Sequence, residues 1–144
     1  MSKSILVSGS AGIFLFTLLT LSLFCAHLVD GKQTVTVEND IAPNVPLTIH
    51  CWSSEDDLGE HTLYYKQTFL WRFGINFWRS TKFVCDASWN DPGKDDQSKI
   101  FVHFTAYSVQ RDWEKHCRND CTWSIRRDGG YYGYVGRFPF VKMF

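Results

Sequence analysis

Five histidines, five cysteines and two adjacent carboxylate pairs are the groups in this chain with a capacity for chemistry. His50 and His103 each stand out of phase with the apolar positions of an alternating segment, so both point to a solvent-facing side and could meet there. Two histidines beside a lysine or an aspartate could cleave a phosphodiester by general acid–base catalysis. The simpler account is two surface histidines on unrelated strands. No Gly-x-Ser-x-Gly elbow, His-Glu-x-x-His pair or phosphate-cradling glycine loop accompanies them. Asp56-Asp57 and Asp95-Asp96 are neighbours in polar stretches, as in solvated loops. Asp91, Asp95 and Asp96 offer hard oxygen ligands for calcium, but their spacing matches no calcium loop. The chain reads as a non-enzyme, with no cofactor and no metal.

The cysteines carry more information, once their compartment is known. Lys3 precedes an apolar run from Ile13 to Phe24, and Asp30, Gly31, Lys32 and Gln33 follow it. This is the pattern of a secretory signal peptide over residues 1–31, with cleavage between about 26 and 31. A membrane anchor is the rival reading, diluted by Ser8, Gly9, Ser10, Gly12, Thr17, Thr20 and Ser22. The expected product is a secreted, extracellular domain over residues 32–144. Cys25 leaves with the leader, and Cys51, Cys85, Cys117 and Cys121 remain. An even set in an oxidising compartment predicts two disulfides, for which three connectivities exist. Zinc is the competing use of Cys117 and Cys121 beside His116, but the paired short spacings of a zinc ribbon are missing. Cys51, Cys85 and Cys121 fall on the apolar phase of their segments, where sulfurs could cross between packed sheets. Cys117 lies in polar sequence. A Cys117–Cys121 bridge would close a trivial loop, so pairing of these two with Cys51 and Cys85 is expected, in an order the spacing leaves open.

The elements that must position these groups are strands. Residues 34–38 alternate, with Val35 and Val37 on one side. Leu47, Ile49 and Cys51 share a face opposite Thr48, His50 and Trp52. Ser53–Glu60 reads as a polar turn region. Thr62–Phe77 is a long aromatic run bearing Phe69, Trp71 and Phe73 in phase. Phe83, Cys85, Ala87 and Trp89 alternate, and so do Ile100, Val102, Phe104 and Ala106. Between them, residues 90–96 (Asn-Asp-Pro-Gly-Lys-Asp-Asp) form the strongest loop signal. Gln110–Asp120 is a long connection or a short helix. Cys121, Trp123 and Ile125 precede an Asp128-Gly129-Gly130 hairpin, and Tyr131 opens the returning strand. The fold class is all-β: an antiparallel β-sandwich of seven or eight strands braced by two disulfides. Trp71, Trp89 and Trp123 fall on inward phases and belong to the core, whereas Trp52, Trp78 and Trp113 lie near turns or off phase and could stack on sugar.

Composition excludes two partner classes. Lys plus Arg and Asp plus Glu number 15 each. Without clustered basic charge, neither a nucleic acid nor an anionic membrane surface has a handle on the chain. Aromatic residues make up 17% of the sequence, enough to furnish the core of a small domain.

Three strings carry a resemblance. The first runs from Leu47 through His50-Cys51 to Asp57-Leu58-Gly59. The second runs from Trp71 through Asn76-Phe77 to Thr81-Lys82-Phe83-Val84-Cys85, with Trp89 following. The third is Cys117-x-x-x-Cys121-x-Trp123, closed by Asp128-Gly129. In order and spacing they resemble the plant self-incompatibility proteins and their S-protein homologues, over nearly the whole segment from Val35 to Tyr132. The resemblance implies a small secreted plant protein with a disulfide-linked β-sandwich. Cys51, Cys85, Cys117 and Cys121 would form the bridges, with Trp89 and Trp123 in the core. It also implies a monomeric, non-enzymatic signalling ligand for the ectodomain of a membrane receptor, as in pollen–pistil recognition, with no direct membrane insertion. The candidate recognition loops hold Ser53, Glu55, Asp56 and Asp57, and Asp91, Lys94, Asp95 and Asp96. A secreted hydrolase or nuclease using His50 and His103, or a carbohydrate-binding defence module, are the alternatives.

Overall fold

The computed structural model describes residues 32–91, 93, 98–113, 117, 119–134 and 137–144. The segment read as a signal peptide lies outside the described residues, as do Cys25, Lys94, Asp95, Asp96 and His116. Alternation of apolar and polar side chains builds strands β1 (Lys32–Asn39), β2 (Leu47–Trp52), β3 (Asp57–Leu63), β4 (Thr68–Gly74), β5 (Lys82–Asn90) and β6 (Lys99–Ser108). A single helical turn, α1 (Val109–Asp112), leads to β7 (Asp120–Arg126), β8 (Gly129–Tyr134) and β9 (Arg137–Lys142). Two sheets result, ordered β4-β1-β7-β8-β9 and β3-β2-β5-β6. All pairs are antiparallel except β1 with β7, which run parallel in the register Val35↔Cys121 and Val37↔Trp123.

The strands number nine among the described residues, and the increase over the expected count has a local cause. Asp57–Leu63 pairs with β2 as an edge strand whose side chains are mostly exposed. Backbone pairing, the buried Leu63 and the His61–Phe69 stack hold it there without apolar alternation, so its polar sequence reads as a turn. The long run Thr62–Phe77 is not one strand. It breaks at a turn where Lys66 adopts φ 67° and its N–H donates to the Asn39 carbonyl, which sends β3 and β4 into different sheets.

The core lies between the sheets. Val35, Val37, Leu47, Ile49, Phe83, Trp89, Trp123 and Ile125 are all buried there. Aromatic rings from the two sheets interlock at centroid distances of 4.6 Å for Phe104–Trp123, 4.8 Å for Phe73–Tyr107 and 5.7 Å for Trp71–Phe83. Trp89 and Trp123 are core residues, as their phase and the resemblance predict.

The disulfides correct the sequence reading. Cys51 pairs with Cys85, and Cys117 pairs with Cys121 across the short loop that had been set aside. Cys51 and Cys85 stand directly opposite each other on neighbouring strands of one sheet, with Cα atoms 4.1 Å apart. The bridge therefore staples β2 to β5 and does not span the sandwich. Cys117 and Cys121, with Cα atoms 4.9 Å apart, are within bridging range, and the Asp120 N–H donates to the Cys117 carbonyl (3.1 Å) between them. This pairing also occupies both thiols proposed as zinc ligands.

What ties the sheets together besides apolar packing is polar. The Trp123 indole N–H donates to the Ala106 carbonyl at 2.9 Å. Asp112, fully buried, accepts from the Tyr132 hydroxyl (2.7 Å), the Ser108 N–H (2.7 Å) and the Arg111 guanidinium (2.6 and 2.9 Å). The same guanidinium donates to the Thr105 and Ala106 carbonyls and lies over the rings of Tyr132 and Trp123. A charge so deep is tolerable only because every lone pair facing the interior is met.

Candidate functional site

One end of the sandwich presents a constrained turn. Between β4 and β5 the chain reverses over residues 75–81, and Asn76 clamps the reversal. Its side-chain oxygen accepts from the Ser80 N–H (2.8 Å), its amide donates to the Ser80 hydroxyl (2.9 Å), and its own N–H donates to Thr81 Oγ1 (2.9 Å). Arg79 takes a left-handed φ of 51° at the corner and packs its guanidinium over Trp113. Phe77 and Trp78 sit at the tip, 89% and 82% exposed, in an edge-to-face pair 5.3 Å apart. Two large rings held in water on a clamped turn are poised for burial elsewhere, since lone exposed apolar residues are common but a rigid aromatic pair is not.

Ser53–Asp56 lies alongside. The Ser53 hydroxyl accepts the N–H groups of Glu55 (3.2 Å) and Asp56 (2.9 Å), and the Ser53 N–H donates to the Asp56 carbonyl (2.7 Å). These bonds fix a tight turn with Glu55 and Asp56 pointing to solvent. A recess separates this turn from the other, bounded by Glu55, Asp56, Gly74, Asn76 and Lys82. The candidate residues Ser53, Glu55 and Asp56 thus face, across the recess, Asn76 and Thr81 at the base of the aromatic turn. The sequence places Trp78 near a turn and marks Gly74 and Asn76 as a bend or bulge, but keeps Phe77 within the run Thr62–Phe77. The Asn76-to-Ser80 spacing was the available signal, because an asparagine before a short polar run caps a turn through its own side chain.

The other candidate residues separate. Asp57 belongs to β3 and serves a different contact: His50 Nε2 lies 2.6 Å from Asp57 Oδ1. The geometry is made by a bulge, since Gly59 at φ 74° displaces the register between His50 and Trp52. The Gly59 N–H, then His50, holds the Asp57 carboxyl below the usual carboxylate range. Asp91 opens the β5–β6 loop at the far end of β5, roughly 25–30 Å from Lys82 by strand length. It accepts from the Gly93 N–H and pairs with Arg127 at 3.5 Å, so its carboxylate is anchored in place. Asp91 and the Ser53–Asp56 turn, whose neighbouring Trp52 stands opposite Val84, thus lie toward opposite ends of β5.

His50 and His103 do share a face, but they do not meet. Asp86 lies between them in register, which sets their backbones about two strand spacings, roughly 10 Å, apart. Each histidine has its own carboxylate, His103 Nδ1 lying 2.6 Å from Asp86 Oδ1. Trp52 fills the space, 5.0 Å from the His50 ring and 5.9 Å from the His103 ring. The two registers here read Glu60–His50–Asp86–His103 and Asp57–Trp52–Val84–Thr105, with three carboxylates and no lysine or arginine. A phosphodiester held at these two registers would meet repulsion from the three carboxylates. Of the three tryptophans offered for sugar stacking, Trp113 packs against the core, Trp52 is half-buried, and Trp78 stands free. Among the described residues no three His, Cys, Asp or Glu groups gather as metal ligands.

The fold and the site define a small all-β domain, a two-sheet sandwich stapled by two disulfides and bearing a clamped aromatic tip. The chain belongs to the plant self-incompatibility protein S1 family, whose family model matches residues 34–144. It is 43% identical over 98 residues to S-protein homolog 29 of Arabidopsis thaliana, an alignment covering 68% of this chain and 65% of that protein. It is 34% identical over 143 residues to S-protein homolog 24 of the same plant, covering 92% of this chain and 87% of that one. A solved SPH (self-incompatibility protein homologue) structure superposes with a TM-score of 0.57 at 18% identity, over 81% of this chain and 95% of that one. That likeness shows the fold. The SPH proteins are described there as small, highly stable and secreted from plants.

Proposed function

We propose that this protein is a secreted, non-enzymatic signalling ligand that binds the ectodomain of a plant cell-surface receptor as a monomer. The observation that carries the reading is the Phe77–Trp78 pair, exposed at the tip of a turn whose backbone is already fixed. Tryptophan anchors dominate the binding energy of protein interfaces, and a pre-ordered loop avoids part of the entropy lost on docking. Glu55 and Asp56 supply a charged rim beside the pair. Secretion is supported by the oxidised cysteines and by the description of the solved relative.

The test is binding of labelled secreted protein to plant plasma-membrane preparations. Phe77→Ala/Trp78→Ala is expected to weaken binding by about 30-fold or more, the effect of losing about 2 kcal/mol at a hot spot, with an unchanged circular dichroism spectrum. Unchanged binding would refute the assignment of the tip. RNA cleavage by the wild type, abolished by His50→Ala, would refute the non-enzymatic reading.

A further inference from the structure

The outward face of the β3-β2-β5-β6 sheet is a second surface, remote from the aromatic tip in its chemistry and built from different residues. From its geometry we infer that His50, Trp52 and His103 form an aromatic cup that receives a lysine or arginine side chain of a partner protein.

Three observations converge. The two imidazoles stand at 40° and 51° to the Trp52 ring, so the trio presents ring faces tilted to one another and not a flat platform. Each imidazole is fixed by its own carboxylate, His50 by Asp57 and His103 by Asp86, and both rings remain open to solvent, with side chains 38% and 57% exposed. Asp57, Asp86 and Glu60 stand in register with the rings, while Lys82, on the same face of β5, lies four residues from Asp86, about 13 Å along the strand. Lys99 is the lysine on this face of β6, and it lies four residues from His103, about 13 Å along the strand. Ring faces attract cations through their quadrupole, and carboxylates behind the rings add a direct charge interaction. Charge complementarity therefore selects a cation over a phosphate or an acidic peptide. The tilt of the flanking rings disfavours a sugar, which needs a flat face to stack on.

Fluorescence anisotropy with a labelled oligolysine peptide tests this directly, with oligoglutamate and cellohexaose as comparison probes. Oligolysine is expected to bind at low salt and oligoglutamate not to bind. Trp52→Ala and the charge-neutral pair Asp57→Asn/Asp86→Asn should each weaken oligolysine at least about tenfold. Trp52→Tyr, which keeps a ring face at the same place, should stay within about threefold of wild type, separating loss of the cup from loss of fold. Phe77→Ala/Trp78→Ala should leave oligolysine binding untouched, so failure here is distinguishable from failure of the receptor-docking assignment. Loss of affinity in the Asp variants with none in Trp52→Ala would reduce the effect to general surface charge and overturn the cup. Trp52-dependent binding of cellohexaose without oligolysine would overturn it in favour of a sugar platform, and no binding of oligolysine would overturn it outright.

Discussion

Asp112→Ala is the substitution whose cost the structure specifies best. The carboxylate is fully buried and accepts four hydrogen bonds, two of them from Arg111. Removing it takes the carboxylate away from the Arg111 guanidinium and the Tyr132 hydroxyl, and leaves the Ser108 N–H without its acceptor. Breaking a buried ion pair from one side costs about 3–5 kcal/mol. The Arg111 side chain retains 23% exposure, which lets water reach part of the stranded charge and favours the lower half of that range. A domain of this size loses roughly 4 °C in Tm per kcal/mol, so the expected fall is about 12–16 °C. Urea and thermal denaturation followed by circular dichroism would measure it. Arg111→Met in the same background should recover at least half of the loss, because the uncompensated charge goes with it. A cost below about 1 kcal/mol for Asp112→Ala, or no recovery in the double variant, would refute the view that this network couples the sheets.

The two disulfides should contribute unequally. Their sequence separations are 34 and 4 residues. Loop-closure entropy then gives about 4 kcal/mol for Cys51–Cys85 and about 2 kcal/mol for Cys117–Cys121, measurable by comparing the paired Cys→Ala variants in urea. Equal costs would contradict the entropic account. Stability should also fall at high pH. Burial, then the neighbouring Asp112 carboxylate, pushes the Tyr107 hydroxyl up to about 12 from an ordinary 10. The folded state thus holds the proton more tightly, so its contribution is complete below pH 10 and is lost as pH rises towards 12. That rise corresponds to about 3 kcal/mol, and Tyr107→Phe should flatten the decline between pH 10 and 12 in denaturation curves.

Alternation made most of the sandwich legible in advance. Val35, Val37, Leu47, Ile49, Phe83, Trp89, Trp123 and Ile125 lie where a period of two puts them, since a half-buried strand must send alternate side chains inward. The cysteine count required two bridges, and the three motif strings pointed to the family that the relatives share. What alternation cannot express is pairing between distant segments. The parallel β1–β7 register and the separate sheets of β3 and β4 arise from which strand ends meet, and no single strand's pattern records that. Cys117 could be matched to Cys121 only by their distance in the folded chain, because the apolar phase of a sulfur says nothing of which other sulfur lies within reach. Asp112 sat unnoticed in a polar connection, and only the convergence of Tyr132, Ser108 and Arg111 makes its burial affordable. The aromatic tip and the His–Trp–His cup were likewise hidden as separate letters. Residue types state what a side chain can do, whereas register and turn geometry determine which side chains do it together.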